Sequence, residues 1–429
     1  MSTAAAASSE SPVTTRPWLT VAMLCAVYAC SQLDRQIMGI LLEPIKQDLG
    51  ATDTQMGFLV GLAFAVFYTF LAIPIAVVAD KGYRRNIIAA SIIVWSAMTA
   101  VCGLVNTYTQ MAFARIGVAV GEAGSSPASV SIISSLFDEK RRATAMGVFA
   151  MGGSIGVLLA FLGGGLLLDN FGWRITFFVV AIPGVILGLM VLFVVREPDV
   201  PPKTSPEDEP SVWTTTRHMA KSRPLRHLLA GNALAGFVGY GTVLWTPAFL
   251  VRTHGLSGTE IGLTLAVFAG IGGAIGTMMS GRVTDYLGRF DERWRSWSIA
   301  VVKVALIPFS IAWFMIDNYW LALCFYAVPA VLGSFYLAPS TAMIQNLVRP
   351  RMRAVASAIS IFLLNIVGMG LGPQGVGILS DLLGPTFGAD SLRYTLCIFL
   401  FVNLWAAFHF WMAGNHMGSP KEAMERAVG

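Results

Sequence analysis

Charged residues are scarce in this sequence. Asp, Glu, Lys and Arg make up 12% of its 429 residues, whereas hydrophobic residues make up 55%. A soluble domain usually contains about 25% charged residues, so this composition argues against a soluble protein and indicates a membrane protein. The basic residues form no dense patch with aromatic residues, so nucleic acid is not an expected partner.

Signatures of metal, redox and covalent chemistry are also missing. The five cysteines lie in apolar runs, with neither a CxxC motif nor a Cys/His cluster of metal-binding spacing, and we expect small buried hydrophobic side chains there. We find no nucleophile–base pair and no phosphate-binding loop. We therefore predict no catalytic residues, no metal and no cofactor, which leaves a membrane-embedded receptor or enzyme as a remote alternative.

Long apolar runs dominate what is present. About 20 such residues cross the hydrocarbon core as a helix, and twelve runs qualify: 18–42, 54–79, 87–105, 110–136, 143–168, 174–195, 227–250, 259–281, 297–316, 319–346, 354–379 and 392–413. The sequence therefore predicts an all-α membrane protein with two six-helix bundles. The predicted divisions are a disordered tail at 1–17, bundles at 18–196 and 227–413, a cytoplasmic linker at 197–226, and a tail at 414–429.

The basic residues are distributed unevenly between the two sides of the predicted membrane. Most of the 29 Lys and Arg residues fall at the two ends and in the loops that follow even-numbered spans. Because cytoplasmic loops carry an excess of Lys and Arg, we predict that both termini are cytoplasmic. The N-terminus lacks the basic-then-apolar order of a signal peptide. We expect the chain in the bacterial inner membrane.

The two halves of the sequence resemble each other. "LGATDTQMGFLVG" (49–61) is similar to "HGLSGTEIGLTLA" (254–266) at an offset of 205, and "GLLLDNFG" (165–172) is similar to "GILSDLLG" (377–384) at an offset of 212. A duplicated six-helix unit explains both matches. Six helices per unit give parallel repeats, an arrangement of transporters whose two halves rock about a midplane site.

Two loops on the predicted cytoplasmic side share charged residues. They read "VVADKGYRRN" (77–86) and "GRVTDYLGR" (281–289). An Asp at a helix end accepts hydrogen bonds from backbone N–H groups and pairs with Arg, so these loops are candidates for a latch between the halves. The alternative is a simple positive-inside anchor. The predicted latch residues are Asp80, Arg84, Arg85, Asp285, Gly288 and Arg289.

Four ionisable residues fall inside the first and fourth predicted spans. Asp34 and Arg35 are adjacent, and Arg115 and Glu122 lie seven residues apart, which is two helical turns or about 10 Å along one face. Intramembrane charges are costly and usually functional. We expect Arg35 to bind an anionic group of a substrate, Glu122 to bind substrate and exchange a proton, and Asp34 to support that exchange. The alternative is a static ion-pair network that locks the two spans together.

The second half carries no charges at the matching positions. Asp34 and Arg35 align with Gly239 and Tyr240, so the charged site belongs to one half. Tyr240, Trp245 and Tyr336 are the substrate-binding candidates from the second half. They would suit a substrate that has a charged head and an apolar body. Each is equally explained by helix packing. Lys303 is isolated in the ninth span, where we expect it to extend along its helix towards the membrane surface.

These motifs resemble those of a known family. The Gly281, Asp285, Gly288 and Arg289 pattern is similar to the loop signature of the major facilitator superfamily. "DRQIMGILL" (34–42), "WSAMT" (95–99) and "ARIGVAVGEAGSS" (114–126) resemble its spinster-like branch.

The resemblance implies a secondary active transporter, a monomer among membrane lipids, that works by alternating access. Its substrate would be an amphipathic anionic or zwitterionic lipid, such as a lysophospholipid or a sphingosine-1-phosphate-like lipid. Proton coupling, by symport or antiport, is the hypothesis that Glu122 motivates. The alternative is a proton-coupled transporter of a small organic anion bound through Arg35.

Overall fold

The computed structural model describes residues 17–197 and 211–417, and these two stretches are helical without a β-strand. The predicted N-terminal tail up to residue 16, residues 198–210 of the linker and residues 418–429 lie outside the described residues. The first half comprises α1 (Pro17–Leu49), α2 (Asp53–Val60), α3 (Leu62–Val78), a π-helical turn (Ala79–Tyr83), α4 (Arg84–Cys102), α5 (Tyr108–Glu122), α6 (Ser125–Leu136) and α7 (Glu139–Val194).

The second half follows a short helix in the linker, α8 (Val212–Lys221). It begins with α9 (Arg223–His254), α10 (Gly258–Leu265), a π-helical segment (Ala266–Gly272), α11 (Gly273–Gly288), α12 (Trp294–Met315), α13 (Tyr319–Leu332) and α14 (Leu337–Leu347). It ends with a 3₁₀ turn (Pro350–Met352), α15 (Arg353–Leu363), a second π-helical segment (Leu364–Leu371), α16 (Gly372–Phe387), a 3₁₀ turn (Gly388–Asp390), α17 (Ser391–Leu400) and α18 (Val402–His416).

Nine helical stretches of the described chain are long and apolar enough to cross a membrane. Two of them, Glu139–Val194 and Pro350–His416, are long enough for two crossings each. The first of these breaks at Gly172, where φ of 76° and ψ of 170° are not helical. α1 is not among the nine, because polar residues such as Asp34 and Arg35 lower its mean hydropathy. The predicted all-α membrane fold is confirmed, whereas the exact domain divisions stay a prediction.

The two halves meet closely at the end of the bundle remote from Pro17 and His416, which we call the outer end. There α2 packs against α16, and α7 packs against α10. A Cβ atom at Gly165 would overlap the carbonyl oxygen of Gly258, and one at Gly377 would overlap that of Asp53. Gly165 and Gly377 are equivalent in the repeat, so the duplicated sequence provides two equivalent close contacts between the halves.

Candidate functional site

A cavity of about 400 Å³ lies between the two halves. Its wall takes residues from the first half, mainly on α1, α3 and α5, and from the second half, mainly on α9 and α12 to α14. The polar and aromatic residues among them include Tyr28, Gln32, Arg35, Gln36, Phe64, Arg115, Tyr240, Lys303, Tyr326, Ser334, Tyr336 and Asn403. The cavity therefore combines cations with aromatic surface.

Arg35 and Glu122 form an ion pair at the cavity wall. Arg35 Nε lies 2.7 Å from Glu122 Oε2, and the exposed fractions of the two side chains are 22% and 0%. Ser31 donates a hydrogen bond of 3.0 Å to the same oxygen. Glu122 Oε1 is buried and has no hydrogen-bond partner among the described residues. Arg35 is thus the exposed member of the pair, and Glu122 lies behind it with one carboxylate oxygen unused.

The local helix geometry explains why the Glu122 carboxylate needs a cation. α5 ends at Glu122, and the chain resumes as α6 at Ser125. A carboxylate at the C-terminal end of a helix is disfavoured by the helix dipole, and a buried carboxylate without a partner is costlier still. Arg35 from α1 offsets both effects, and its guanidinium also stacks 4.3 Å from the ring centroid of Tyr68.

Asp34 and Arg115 do not complete a second ion pair. Asp34 Oδ2 accepts a hydrogen bond of 2.7 Å from Thr99, while its Oδ1 has no partner among the described residues. Arg115 is 2% exposed, and its Nε and Nη1 atoms likewise have no partner there. A static network that locks the two spans would use these groups, so the geometry favours a site with unused binding capacity.

Two of the three substrate-binding candidates from the second half lie at the cavity. Tyr240 and Tyr336 line the cavity. Trp245 does not: it is fully buried, and its indole N–H donates a hydrogen bond of 2.9 Å to the Pro373 carbonyl. That carbonyl belongs to α16, so Trp245 holds two helices of the second half together.

The position of Lys303 differs from the one expected from the sequence. It is 3% exposed and lines the cavity instead of extending to the membrane surface. Its Nζ donates a hydrogen bond of 3.2 Å to the Gly333 carbonyl and lies 4.4 Å from the ring centroid of Tyr336. The helix break between α13 and α14 frees that carbonyl, and this break is the feature that sequence reasoning lacked.

The first of the two predicted latch loops has its described contacts with the first half and with the first residue of the predicted linker. The backbone N–H groups of Arg84 and Arg85 donate to the Glu197 carboxylate at 3.1 and 2.8 Å. Arg84 Nη1 also donates to Ser135 at 3.1 Å. The side chain of Asp80 lies outside the described residues. In the second half, Gly288 ends α11 with Asp285 one turn before it and Arg289 directly after it. A latch between these loops stays a prediction.

Two aspartates instead connect the halves at the outer end. Asp381 accepts hydrogen bonds from the backbone N–H groups of Asp53 (3.1 Å) and Thr54 (2.7 Å) at the start of α2. Asp169 does the same for Gly258 (2.8 Å) and Thr259 (2.7 Å) at the start of α10. Carboxylates are favoured at helix N-termini. The repeat had marked both aspartates without revealing their partners.

An ion-pair cluster adds to this closure. Arg252 on α9 donates two hydrogen bonds to the Asp53 carboxylate, at 2.7 and 2.8 Å, and one to Glu43 at 2.8 Å. Lys46 Nζ lies 2.6 Å from Asp53 Oδ1. The cluster therefore joins α9 of the second half to α1 and α2 of the first.

We expect Asp169→Asn and Asp381→Asn each to loosen the outer end. Each change removes charge-assisted bonds worth about 1.5–3 kcal/mol apiece. Hydrogen–deuterium exchange at the freed helix-start amides should accelerate roughly tenfold, around Gly258 in the first variant and around Thr54 in the second. Asp138→Asn is the matched control, because Asp138 caps α7 within one half. Unchanged exchange at the outer end in both variants would contradict this assignment.

Comparison with known proteins gives consistent matches. The family model of the Major Facilitator Superfamily matches residues 24–373. An "MFS-type efflux pump" of Mycolicibacterium smegmatis is 34% identical over 403 residues, 93% of this chain and 92% of that relative. A "probable L-galactonate transporter" of Escherichia coli is 26% identical over 282 residues, 62% of each. The crystal structure of a bacterial homologue of the human lysosomal transporter Spinster, inward-facing and unoccupied, matches with a TM-score of 0.86 and 27% identity, over 96% of this chain and 100% of that one.

Proposed function

Since the chain belongs to the Major Facilitator Superfamily, we propose that it moves an anionic substrate across the membrane by alternating access, coupled to protons. Its family and relatives are transporters and not enzymes. The observation that carries the proposal is the Arg35–Glu122 pair, in which the cation faces the cavity and the carboxylate lies behind it.

The pair links anion binding to proton binding. A carboxylate or phosphate group that enters the cavity competes with Glu122 for the guanidinium of Arg35, which binds such groups through two parallel N–H donors. Glu122 then lacks its cation in a buried site, where the neutral protonated form is favoured. The proton and the anion are therefore bound in the same state, which is the arrangement of a symporter. Asp34 remains a second candidate for proton exchange, because its buried Oδ1 has no partner among the described residues.

We propose that the leading substrate is an amphipathic anion, such as a lysophospholipid or a sphingosine-1-phosphate-like lipid. The support is the aromatic surface beside Arg35, which includes Tyr28, Phe64 and Tyr240. Such a surface suits an apolar body attached to a charged head. The resemblance to the spinster-like branch points to the same class.

A small organic anion is the second candidate. The relative from Escherichia coli is named for a sugar acid. The cavity of about 400 Å³ also falls in the range of about 300–1,000 Å³ that is typical of small-molecule sites. Both candidates require the same anion-binding group at Arg35.

We further propose that one chain is the working unit, with both termini in the cytoplasm. Residues of a single chain from both halves form the cavity wall. The distribution of Lys and Arg supports the orientation.

Binding by purified protein across a panel of ligands tests the proposal. The panel pairs a lysophospholipid, a sphingosine-1-phosphate-like lipid and a short carboxylate with neutral analogues of equal size. We expect the anionic member of at least one pair to bind at least tenfold more tightly, since a charge-assisted bond is lost in its analogue. The preferred pair identifies the substrate class. Equal binding of charged and neutral members throughout would contradict an anion site.

A further inference from the structure

Lys303 is a buried cation of the second half that the proposed coupling does not use. It lies on α12 at the cavity wall, 3% exposed. None of the ion pairs found in residues 17–197 and 211–417 includes it. One hydrogen bond to the Gly333 carbonyl and the face of the Tyr336 ring are its described polar partners.

A helix-packing role does not account for this lysine. An ammonium group has three donors, and burying it without a counter-charge is unfavourable. An apolar side chain of similar size would pack at the same position without that penalty. The described residues that line the cavity include neither Asp nor Glu, so a counter-charge for the protonated lysine would come from a molecule that enters the cavity.

The formal charge of the site indicates how much negative charge is required. In formal charge Asp34 cancels Arg115, although the two form no ion pair, and Glu122 cancels Arg35 in their ion pair. The charge of the protonated Lys303 is left over. When Glu122 is protonated, two positive charges remain uncompensated, one in each half. A substrate with two negative charges neutralises both.

We propose that Lys303 binds a second acidic function of the substrate, so that the substrate class is a dianion held between Arg35 and Lys303. The inference rests on the proposed function and extends it. Because the two cations belong to different halves, such a substrate connects the halves when it is bound. A dicarboxylate and a phosphate monoester share this chemistry, and the experiment separates them.

Competition binding with matched probes tests Lys303. The carboxylate arm compares succinate with its monoamide, and the phosphate arm compares octyl phosphate with its methyl diester. In the wild-type protein we expect the dianion of one arm to bind at least about tenfold more tightly than its monoanionic partner. Lys303→Gln should remove that preference while monoanion binding stays unchanged. Lys303→Arg should retain most of it, and Lys140→Gln, at an exposed position, should behave as wild type.

The outcomes separate the inference from the proposed function. Monoanion binding without any preference for a dianion, or a preference that survives Lys303→Gln, overturns the role of Lys303 and leaves the anion site at Arg35 intact. Equal weakening of monoanion and dianion in Lys303→Gln also overturns it, because the lysine would then act on the site as a whole. Failure of all four probes to bind the wild-type protein overturns the dianion inference, whereas the anion site at Arg35 is tested separately by the ligand panel with the two lipids.

Discussion

Arg35→Ala is expected to eliminate measurable substrate binding and transport. The change removes the cation that faces the cavity and leaves Glu122 fully buried without its partner. Truncating one partner of a buried, hydrogen-bonded charge pair between binding partners costs about 2–5 kcal/mol, which corresponds to a loss of affinity of roughly 30-fold or more. The measurement is equilibrium binding of the preferred anion from the ligand panel to purified protein.

A conservative variant distinguishes charge from geometry at this position. Arg35→Lys keeps the positive charge but loses the planar arrangement of donors that binds a carboxylate or phosphate through two parallel hydrogen bonds. We therefore expect intermediate affinity. Arg217→Ala, on the exposed face of α8, is the control for loss of an arginine. Wild-type affinity in a correctly folded Arg35→Ala protein would show that the anion binds elsewhere.

Glu122→Gln is expected to abolish accumulation driven by a pH gradient while exchange of labelled for unlabelled substrate continues. Glutamine has nearly the same size and still accepts the Ser31 hydrogen bond, but it neither takes up nor releases a proton. In proteoliposomes, a gradient of one pH unit supports about tenfold accumulation for each coupled proton. The variant should reach only the equal concentrations of passive equilibration.

Two further variants make this result specific. Glu139→Gln, at the exposed start of α7, should accumulate substrate as the wild-type protein does. Asp34→Asn measures the share of the second buried carboxyl group in the coupling. Gradient-driven accumulation by Glu122→Gln at the wild-type level would exclude Glu122 as the proton carrier.

The fold was predictable because its signals are local or repeated. Apolar runs of spanning length are a local signal and the offset between the halves is a repeated one, and together they lead to the observed all-α membrane architecture. α1 shows the limit of hydropathy, since its charges place it outside the apolar stretches that length and composition select. The resemblance of the quoted motifs to the spinster-like branch is confirmed by the structural match.

Part of the cavity lining could be predicted from the sequence, whereas the pairing of the charged groups could not. Helical spacing places Arg115 and Glu122 on one face. It does not reveal that Glu122 pairs with Arg35, or that Asp34 accepts a hydrogen bond from Thr99. Such choices depend on how α1, α4 and α5 pack together. Lys303 shows the same limit, because only a break in another helix provides its carbonyl partner.

The closed outer end lies beyond sequence reasoning for a different reason. Asp169 and Asp381 were visible as repeat positions, yet their partners are backbone N–H groups of helices in the opposite half. Which end of the bundle closes is a property of one conformation. The sequence must support every conformation of the transport cycle, so it does not favour one of them.

Proton uptake on substrate binding tests the central claim that the anion and the proton are bound at the Arg35–Glu122 pair. It is measured by calorimetry in buffers of different ionisation enthalpy, with the wild-type protein and Glu122→Gln. The proposed coupling predicts uptake of about one proton per bound anion in the wild type and none in the variant, since a carboxyl group deprived of its cation in a buried site favours its neutral form. Equal proton uptake by the two proteins would contradict it.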